Sequence, residues 1–330
     1  MPIDRRDFMA GAAVALAGGA LGVPGMAPSA AAATQGGNGM EQAPGFYRFT
    51  VGEAIVTTIN DGVGTRSLEA GFVRNAELAD VQGALAEAFQ PAETITIPFT
   101  LTVIERGGRV VMIDSGTGGL LAPTAGRAFA NLTAAGYPPE RIDTLVVSHF
   151  HGDHIQGIRA KDGSANFPNA TILVPDAEWA FWMDEGAMSR APEAMKSAFE
   201  SVHRVFDPIA GSVERYQGET EIVPGLRSLP AYGHTPGHTV FVLADGDASL
   251  LIWSDTTNKP ELFVRNPSWQ AVFDMDGDQA AATRARMLDM AASERMRLVG
   301  YHFPFPATGY IGREGQGYRY VPAFWQPGVD

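Results

Sequence analysis

Cysteine is absent from all 330 residues of this chain. Its absence excludes disulfide bonds, zinc ribbons, cysteine-ligated iron–sulfur clusters and a cysteine nucleophile. It also excludes a lipid anchor on a cysteine after an export signal. Any metal must therefore be bound by His, Asp and Glu, and these ligands suit Zn²⁺, Mn²⁺, Co²⁺ or Fe²⁺.

Positive charge is in short supply, because 24 Lys and Arg stand against 37 Asp and Glu and the formal net charge is −13. A protein that binds nucleic acid normally has a basic surface, so we expect no nucleic-acid partner. An acidic protein also exerts no long-range attraction on polyanions. A small, neutral, apolar molecule is therefore the expected substrate.

Long hydrophobic runs are also lacking. The main apolar stretch covers residues 9–23 and is interrupted by Gly18 and Gly19. A membrane-spanning helix needs about 20 consecutive, mostly apolar residues. We therefore expect the mature protein to have no membrane association.

The N-terminal segment has the features of an export signal. Arg5 and Arg6 precede the apolar stretch, as in a twin-arginine motif. Small residues that suit cleavage follow it. We predict a twin-arginine-type signal peptide over residues 1–33, a flexible linker over 34–45 and a folded domain over 46–330. The mature protein is expected in the periplasm or outside the cell.

Strand patterns come first in the predicted domain and then alternate with helical patterns. Alternating Thr and apolar residues over 94–105 predict a half-buried strand. An apolar run at 144–148 predicts a buried strand. The sequence N-D-G at 60–62 predicts a turn, and residues 279–292 have the spacing of an amphipathic helix. These patterns indicate a mixed α and β domain.

Three of the chain's seven histidines lie in the motif S-H-F-H-G-D-H, directly after the predicted buried strand. His149 and His151 are two residues apart, so on an extended segment they point the same way. Gly152 permits a sharp turn before Asp153 and His154. Four side chains of ligand type can thus surround two adjacent ions. Neutral imidazole and carboxylate bind zinc where thiolates are absent.

This motif resembles the H-x-H-x-D-H signature of the metallo-β-lactamase superfamily. Three later segments continue the resemblance: G-H-T-P-G-H at 233–238, W-S-D-T at 253–256 and G-Y-H-F-P at 300–304. The resemblance implies an α/β fold, the metallo-β-lactamase αβ/βα four-layer sandwich of two mixed β-sheets flanked by helices. It also implies two divalent metal ions per chain, with Zn²⁺ favoured.

The resemblance implies which residues bind the ions. The full set of ligands is His149, His151, Asp153, His154, His234, Asp255 and His302. Asp255 would be shared by both ions, and Asp114 would support the metal-binding loops.

By the same resemblance, a metal-bridging hydroxide would be the nucleophile. Asp153 and Asp255 are the carboxylates assigned to catalysis, and Asp153 would orient the hydroxide and carry its proton. His238 is expected to support a ligand rather than bind metal, and His203 is expected to have no role in the site.

Further segments are similar to methyl parathion hydrolase and related lactonases and arylesterases. They lie at residues 43–48, 116–136 and 309–322. This similarity implies a hydrolase that opens lactones or cleaves esters, including acyl-homoserine lactones. The alternative is an organophosphate triester hydrolase, and a β-lactamase is less favoured. The relatives' assembly also implies a homodimer.

Two other classes are disfavoured. A nuclease of this fold would need a basic groove, which the acidic composition does not supply. A structural metal-binding module would have a closed, four-coordinate site rather than seven ligands.

Aromatic residues near the motifs are predicted to form a substrate-binding wall, since an apolar pocket with a few polar groups suits a neutral substrate. The predicted wall contains Trp179, Trp182, Trp269, Phe273, Phe303 and Phe305. The alternative is that these aromatic side chains fill the hydrophobic core.

Overall fold

The computed structural model describes residues 42–315 and 317–329. The predicted signal peptide and residues 34–41 of the predicted linker lie outside the described residues. Residues 42–45 belong to no helix or strand. The division of the chain into signal peptide, linker and domain therefore stays a prediction.

The described residues form two seven-stranded sheets. In spatial order, the first sheet contains β1 (Phe46–Val51), β2 (Ala54–Ser67), β3 (Thr94–Arg106), β4 (Arg109–Ile113), β5 (Thr144–Val146), β6 (Thr171–Pro175) and β7 (Glu214–Tyr216). The second contains, in chain order, β8 (Glu221–Val223), β9 (Leu226–Pro230), β10 (Thr239–Asp245), β11 (Ala248–Ile252), β12 (Arg297–Val299), β13 (Thr308–Glu314) and β14 (Gly317–Pro322).

Helices connect and flank these strands. The α-helices are α1 (Leu78–Glu87), α2 (Ala128–Ala134), α3 (Gly152–Ile155), α4 (Asp176–Trp182), α5 (Glu185–Arg190), α6 (Glu193–Phe206) and α7 (Gly277–Ser293). None of the helices in the described part of the chain is long and apolar enough to cross a membrane.

Both sheets are mixed. In the first, β1 to β4 pair antiparallel, whereas β4 to β7 pair parallel. In the second, β11 and β12 pair parallel and the other neighbours pair antiparallel. Parallel neighbours need a crossover connection, which α7 supplies between β11 and β12.

The two sheets pack face to face through a shared apolar cluster. Phe49, Val56 and Ile104 of the first sheet pack against Phe241 and Ile252 of the second. Helices α2, α4 and α6 cover the outer face of the first sheet, and α7 covers that of the second. The order of layers is thus helix, sheet, sheet, helix. This confirms the predicted α/β sandwich of two mixed sheets.

The turn predicted at 60–62 is wrong. Strand β2 continues through this point, with a β-bulge between Asn60 and Gly62. The bulge directs the side chain of Asp61 inward, where its carboxylate accepts hydrogen bonds from the backbone N–H groups of Thr117 and Ala128 at 2.8 Å. A bulge re-aims a side chain without ending the strand, and N-D-G is compatible with either outcome.

The other predicted elements occur close to their expected positions. The strand predicted over 94–105 is β3, and the helix predicted over 279–292 lies within α7. Helix α1 was not predicted. Its buried side chains Val81 and Leu85 pack in a separate cluster with residues of the segment that follows Asp255.

Candidate metal centre

The strands of the two sheets direct the ligand residues to one edge of the sandwich. Asp114 directly follows β4, and His149 comes three residues after β5. In the second sheet, Asp255 comes three residues after β11, and His302 comes three residues after β12. Since β4 and β5 are parallel and β11 and β12 are parallel, these carboxyl ends lie side by side.

The motif loop changes from extended chain to helix at its centre. His151 has extended backbone (φ −66°, ψ 151°) and immediately precedes α3. Asp153 and His154 therefore lie in the first turn of that helix. This change of direction lets neighbouring residues serve two different positions in the site.

The seven predicted ligands come together in two groups. The first group consists of His149, His151, His234 and Asp255. The second group consists of Asp153, His154, His302 and the same Asp255. In each group one potential ligand atom per residue lies within 4.8 Å of all the others, which is close enough for them to share a metal ion.

Distances in the first group are those of side chains converging on one point. His151 Nδ1 lies 2.9 Å from His234 Nε2. Asp255 Oδ2 lies 3.3 Å from His234 Nε2 and 3.9 Å from His149 Nε2. Three imidazoles and one carboxylate thus face each other.

The second group converges on the same carboxylate. Asp255 Oδ1 lies 3.1 Å from His154 Nε2, and Asp255 Oδ2 lies 2.9 Å from His302 Nε2. Asp153 Oδ2 is 3.4 Å from the Nε2 atoms of both histidines. Asp255 therefore links the two groups.

Buried polar atoms in the site fit bound cations. Within the described residues, His149 Nε2, His154 Nε2 and Asp255 Oδ1 are buried and have no hydrogen-bond partner. A buried polar atom without a partner costs about 1–3 kcal/mol. The three atoms face into the two groups, where divalent cations would satisfy them. The residues present therefore fit two divalent ions.

The protonation of two ligands suits metal binding. Burial, together with the nearby His154, holds the pKa of His149 well below its usual value. Burial and the adjacent His234 lower the pKa of His151 to about 3. Both imidazoles are therefore neutral near pH 7, and neutral imidazole is the form that binds metal.

Each group contains one histidine that a buried carboxylate orients. His154 Nδ1 lies 2.8 Å from Asp114 Oδ2, and His234 Nδ1 lies 2.9 Å from Asp274 Oδ1. The guanidinium of Arg284 donates to the other oxygen of Asp274 at 3.0 Å. Such partners fix the tautomer and the ring direction of a ligand. Asp274 and Arg284 belong to no recognisable motif, and the sequence analysis missed them.

His238 supports the shared carboxylate through the backbone. Its Nδ1 donates to the carbonyl oxygen of Ala231 at 2.8 Å, so its Nε2 accepts from the N–H of Asp255 at 3.0 Å. Burial and the nearby His234 lower the pKa of His238 to about 3, which keeps this ring neutral. His203 lies on α6 beside Asp207, away from both groups.

Two residues in the site have backbone angles that are unusual for side chains other than glycine. Asp114 has φ +62°, and Ser254, which precedes Asp255, has φ +46°. Residues in this left-handed region cost roughly 1–3 kcal/mol each and cluster at functional sites. Ser254 Oγ also donates to Ser148 Oγ at 2.8 Å, and Ser148 Oγ donates to Asp114 Oδ2 at 2.8 Å, which connects the two residues with positive φ.

A cavity of about 380 Å³ opens beside the two groups. Its lining includes His151, Asp153, Asp255 and His302. The remaining lining residues are Gly64, Thr65, Arg66, Ile97, Phe99, Leu121, Ala122, Gly152, Asn258 and Phe273. The ligand groups therefore face a space of the size that small-molecule sites have.

More than half of the chain matches a known family. The model of the metallo-β-lactamase superfamily matches residues 100–302, which include all seven predicted ligands. The chain belongs to the metallo-β-lactamase superfamily. The family resemblance inferred from the motifs is thereby confirmed.

Curated relatives in the superfamily are lactonases. An N-acyl homoserine lactonase of Bacillus thuringiensis is 30% identical over 133 residues, which are 40% of this chain and 45% of the relative. An N-acyl homoserine lactonase of a Bacillus species is 25% identical over 165 residues, which are 50% of this chain and 57% of the relative. The chain thus spans about half the length of the curated relatives it matches.

Solved structures of the superfamily resemble the whole described domain. AidC, a dizinc quorum-quenching lactonase in complex with a product, has a TM-score of 0.80 at 24% identity, covering 86% of this chain and 98% of AidC. The hydrolase AbOPH also has a TM-score of 0.80, at 26% identity, covering 87% of this chain and all of AbOPH. These similarities support the superfamily fold.

The residues that line the cavity differ from the predicted aromatic wall. Of the six predicted aromatic residues, all of which the structure describes, Phe273 lines the cavity. Trp182 and Phe303 are fully buried in the cores beneath the helices, and Trp179 and Trp269 pack against such cores. Phe305 is 38% exposed and lies outside the lining. Proximity to a ligand in sequence does not place a side chain in the cavity.

Residues that the sequence analysis missed form most of the wall. Ile97 and Phe99 come from β3, and Arg66 comes from the end of β2. Asn258 donates its amide N–H to Asp255 Oδ2 at 3.3 Å. No motif distinguishes these positions, although Ile97 and Phe99 lie on the strand predicted from its alternating pattern.

Proposed function

We propose that this chain is a dinuclear metal-dependent hydrolase that opens lactones, with N-acyl homoserine lactones as the substrate class. The observation that carries the proposal is the pair of ligand groups sharing Asp255 at the floor of an open cavity. The names of its curated relatives and of AidC support the substrate class.

Zinc is the proposed metal at both positions. A site of imidazole and carboxylate without thiolate suits Zn²⁺, with Mn²⁺, Co²⁺ and Fe²⁺ as alternatives. Two divalent cations supply a lowered pKa for water and polarisation of the bond to be cleaved. The protein residues supply position, proton transfer and exclusion of bulk water.

Asp153 is the carboxylate best placed to meet the substrate. Its side chain is 17% exposed and lines the cavity, whereas that of Asp255 is 3% exposed. Burial raises the pKa of Asp153, but His154 and His302 outweigh this and hold it below its usual value. Asp153 is therefore ionised near pH 7 and can accept a proton from water and pass it to the leaving alcohol.

The remaining wall suits an apolar chain with a polar head. Ile97, Phe99 and Phe273 form apolar surface that an acyl chain would cover. Arg66 is the one lining residue with a guanidinium or ammonium group among those described. Asn258 and Arg66 offer N–H donors to carbonyl oxygens. A small, neutral, apolar substrate fits this arrangement.

A neutral aryl organophosphate triester is the second candidate substrate. Apart from Asp153 and Asp255, the cavity lining contains no carboxylate among the described residues, so a neutral triester would meet no further negative charge there. The ring faces of Phe99 and Phe273 would accept an aryl leaving group. Both substrates would use the same metal ligands and the same cavity.

We also propose that the protein is exported by the twin-arginine route and acts as a homodimer in the periplasm or outside the cell. The Arg5-Arg6 pair and the apolar stretch after it support export. Replacing both arginines with Lys should leave the protein in the cytoplasmic fraction. Light scattering of the purified protein should give twice the chain mass.

Hydrolysis by the purified, zinc-loaded protein tests the catalytic proposal. N-hexanoyl-homoserine lactone, methyl paraoxon and a β-lactam would be compared with and without a chelator. We expect lactone turnover to exceed the other two and to vanish when the metal is removed. Faster turnover of methyl paraoxon would make the triester the true substrate, and activity that persists without metal would refute the dinuclear mechanism.

The variant Asp153→Asn tests the role of that carboxylate. It keeps the shape of the side chain but cannot accept the proton, so turnover should fall by roughly 10²-fold or more. Asp162→Asn is the matched control, because Asp162 is an exposed carboxylate in the turn that precedes Ser164. Equal activity of both variants would refute the assignment of Asp153.

A further inference from the structure

Glu178 is a buried carboxylate that the proposed reaction does not use. It lies on α4, is fully buried and does not line the cavity. Its Oε2 accepts hydrogen bonds from the N–H of Phe150 and from Trp182 Nε1, both at 2.9 Å. Its Oε1 accepts from the N–H of Gly237 at 2.5 Å. Burial of an ionised carboxylate is costly unless hydrogen bonds or an opposite charge compensate for the lost water, and here three N–H donors do so.

Two of these donors belong to the loops that carry the ligands of the first group. Phe150 lies between His149 and His151 in the motif loop. Gly237 lies three residues after His234 in the loop between β9 and β10. Glu178 therefore joins two loops that are more than 80 residues apart in sequence.

The contact between α4 and the second loop leaves no spare space. A Cβ atom added at Gly237 would lie 2.6 Å from the backbone nitrogen of Glu178. The loop is thus held directly against the start of the carboxylate-bearing helix. A shift of this helix would move His234 relative to His149 and His151.

The second group is oriented by other residues. Asp114 orients His154, and the carbonyl oxygen of Pro98 accepts from His302 Nδ1 at 2.7 Å. Tyr301 donates its hydroxyl to the carbonyl oxygen of Asp153 at 2.6 Å. None of these contacts involves Glu178. Loss of its carboxylate should therefore affect the two groups unequally.

We propose that Glu178 is a positioning residue that sets the spacing of the three histidines in the first group and so controls the affinity of that group for its ion. The carboxylate accepts from both loops at once, which fixes the distance between them. This inference rests on the proposed dinuclear site.

Zinc titration of the metal-free full chain tests the inference. The variant Glu178→Gln is isosteric but turns an amide N–H towards donors. Competition with a chromophoric chelator should show that one of two Zn²⁺ ions binds about 10–100-fold more weakly, while the other is unchanged. Should this variant not fold, Glu178→Asp gives the same test, because its shorter side chain cannot reach both loops.

Trp182→Phe is the matched control. It removes the donor to Glu178 that comes from α4 itself and leaves both loop contacts in place. Its melting temperature should fall while both zinc affinities stay at the wild-type values. Equal weakening of both ions by Glu178→Gln, or no weakening, would overturn the positioning role. Wild-type protein that binds fewer than two Zn²⁺ ions would instead refute the dinuclear site and the inference with it.

Discussion

The two ligand groups use the same orienting device with different charge balance. In the first, Asp274 orients His234 and is itself paired with the buried cation of Arg284. In the second, Asp114 orients His154 and accepts from the N–H and hydroxyl of a serine in the motif loop, at 2.7 and 2.8 Å.

The two orienting carboxylates, Asp274 and Asp114, also differ in how far their contacts extend into the fold. Arg284 also donates to the carbonyl oxygens of Thr256 at 2.9 Å and of Trp269 at 2.5 Å, so it ties α7 to the segment after Asp255. Asp114 makes its contacts within the loops at the strand ends. Loss of the pair of Asp274 and Arg284 should therefore lower the stability of the whole fold. Loss of the contacts of Asp114 should affect only the loops around it.

Removal of the shared carboxylate of Asp255 should weaken metal binding in both groups and have the largest effect on activity. Asp255→Asn should lose both ions, because Asp255 belongs to both groups, and activity should fall by more than the roughly 100-fold that a supporting residue costs. His302→Asn should lose one ion. Metal content after gel filtration checks both variants, and two retained ions in Asp255→Asn would contradict the sharing.

Loss of the buried ion pair between Arg284 and Asp274 should destabilise the fold more than loss of the carboxylate of Asp114. Arg284→Met leaves the buried carboxylate of Asp274 without its guanidinium partner, so the free energy of unfolding should fall by about 3–5 kcal/mol. Asp114→Asn keeps the shape of the side chain but puts an amide in place of a carboxylate that accepts hydrogen bonds from Ser148, so it should cost about 1–3 kcal/mol. Urea denaturation of the metal-free proteins measures both values. Equal losses would mean that the ion pair does not distinguish the groups.

Removal of each orienting carboxylate should weaken its own group. Asp274→Asn should lower zinc affinity about 10–100-fold at the first group, and Asp114→Asn should do so at the second. The same chelator competition measures both, and each variant serves as the control for the other. A single affected ion that is the same in both variants would contradict the assignment of ligands to groups.

A substitution in the cavity wall should weaken substrate binding without changing the zinc affinity of either ligand group. Phe273→Ala removes apolar surface, so KM for a long-chain acyl lactone should rise by about 10-fold at unchanged zinc affinity. Val272→Ala is the matched control, since Val272 is exposed and lies outside the lining. A change in zinc affinity would show that Phe273 supports the metal ligands.

Prediction from the sequence succeeded where local pattern and chemistry coincide. The alternation of Thr and apolar residues predicted strand β3. The high density of ligand side chains after an apolar run identified the motif at 149–154. The same reasoning failed at 60–62, where a tertiary contact of Asp61 retains the strand. It also failed for the aromatic residues, because burial in a core and exposure in a cavity demand the same apolar side chains.

The sequence by itself determined the fold family, the ligand chemistry and the absence of any thiolate, because these follow from residue types and their spacing along one chain. Only the tertiary structure decided which buried residues support the ligands and which residues form the cavity. Asp274 lies 40 residues from His234, and Glu178 lies 59 from Gly237. Partners so far apart in sequence leave no periodic pattern, and only the tertiary packing of the loops brings them together.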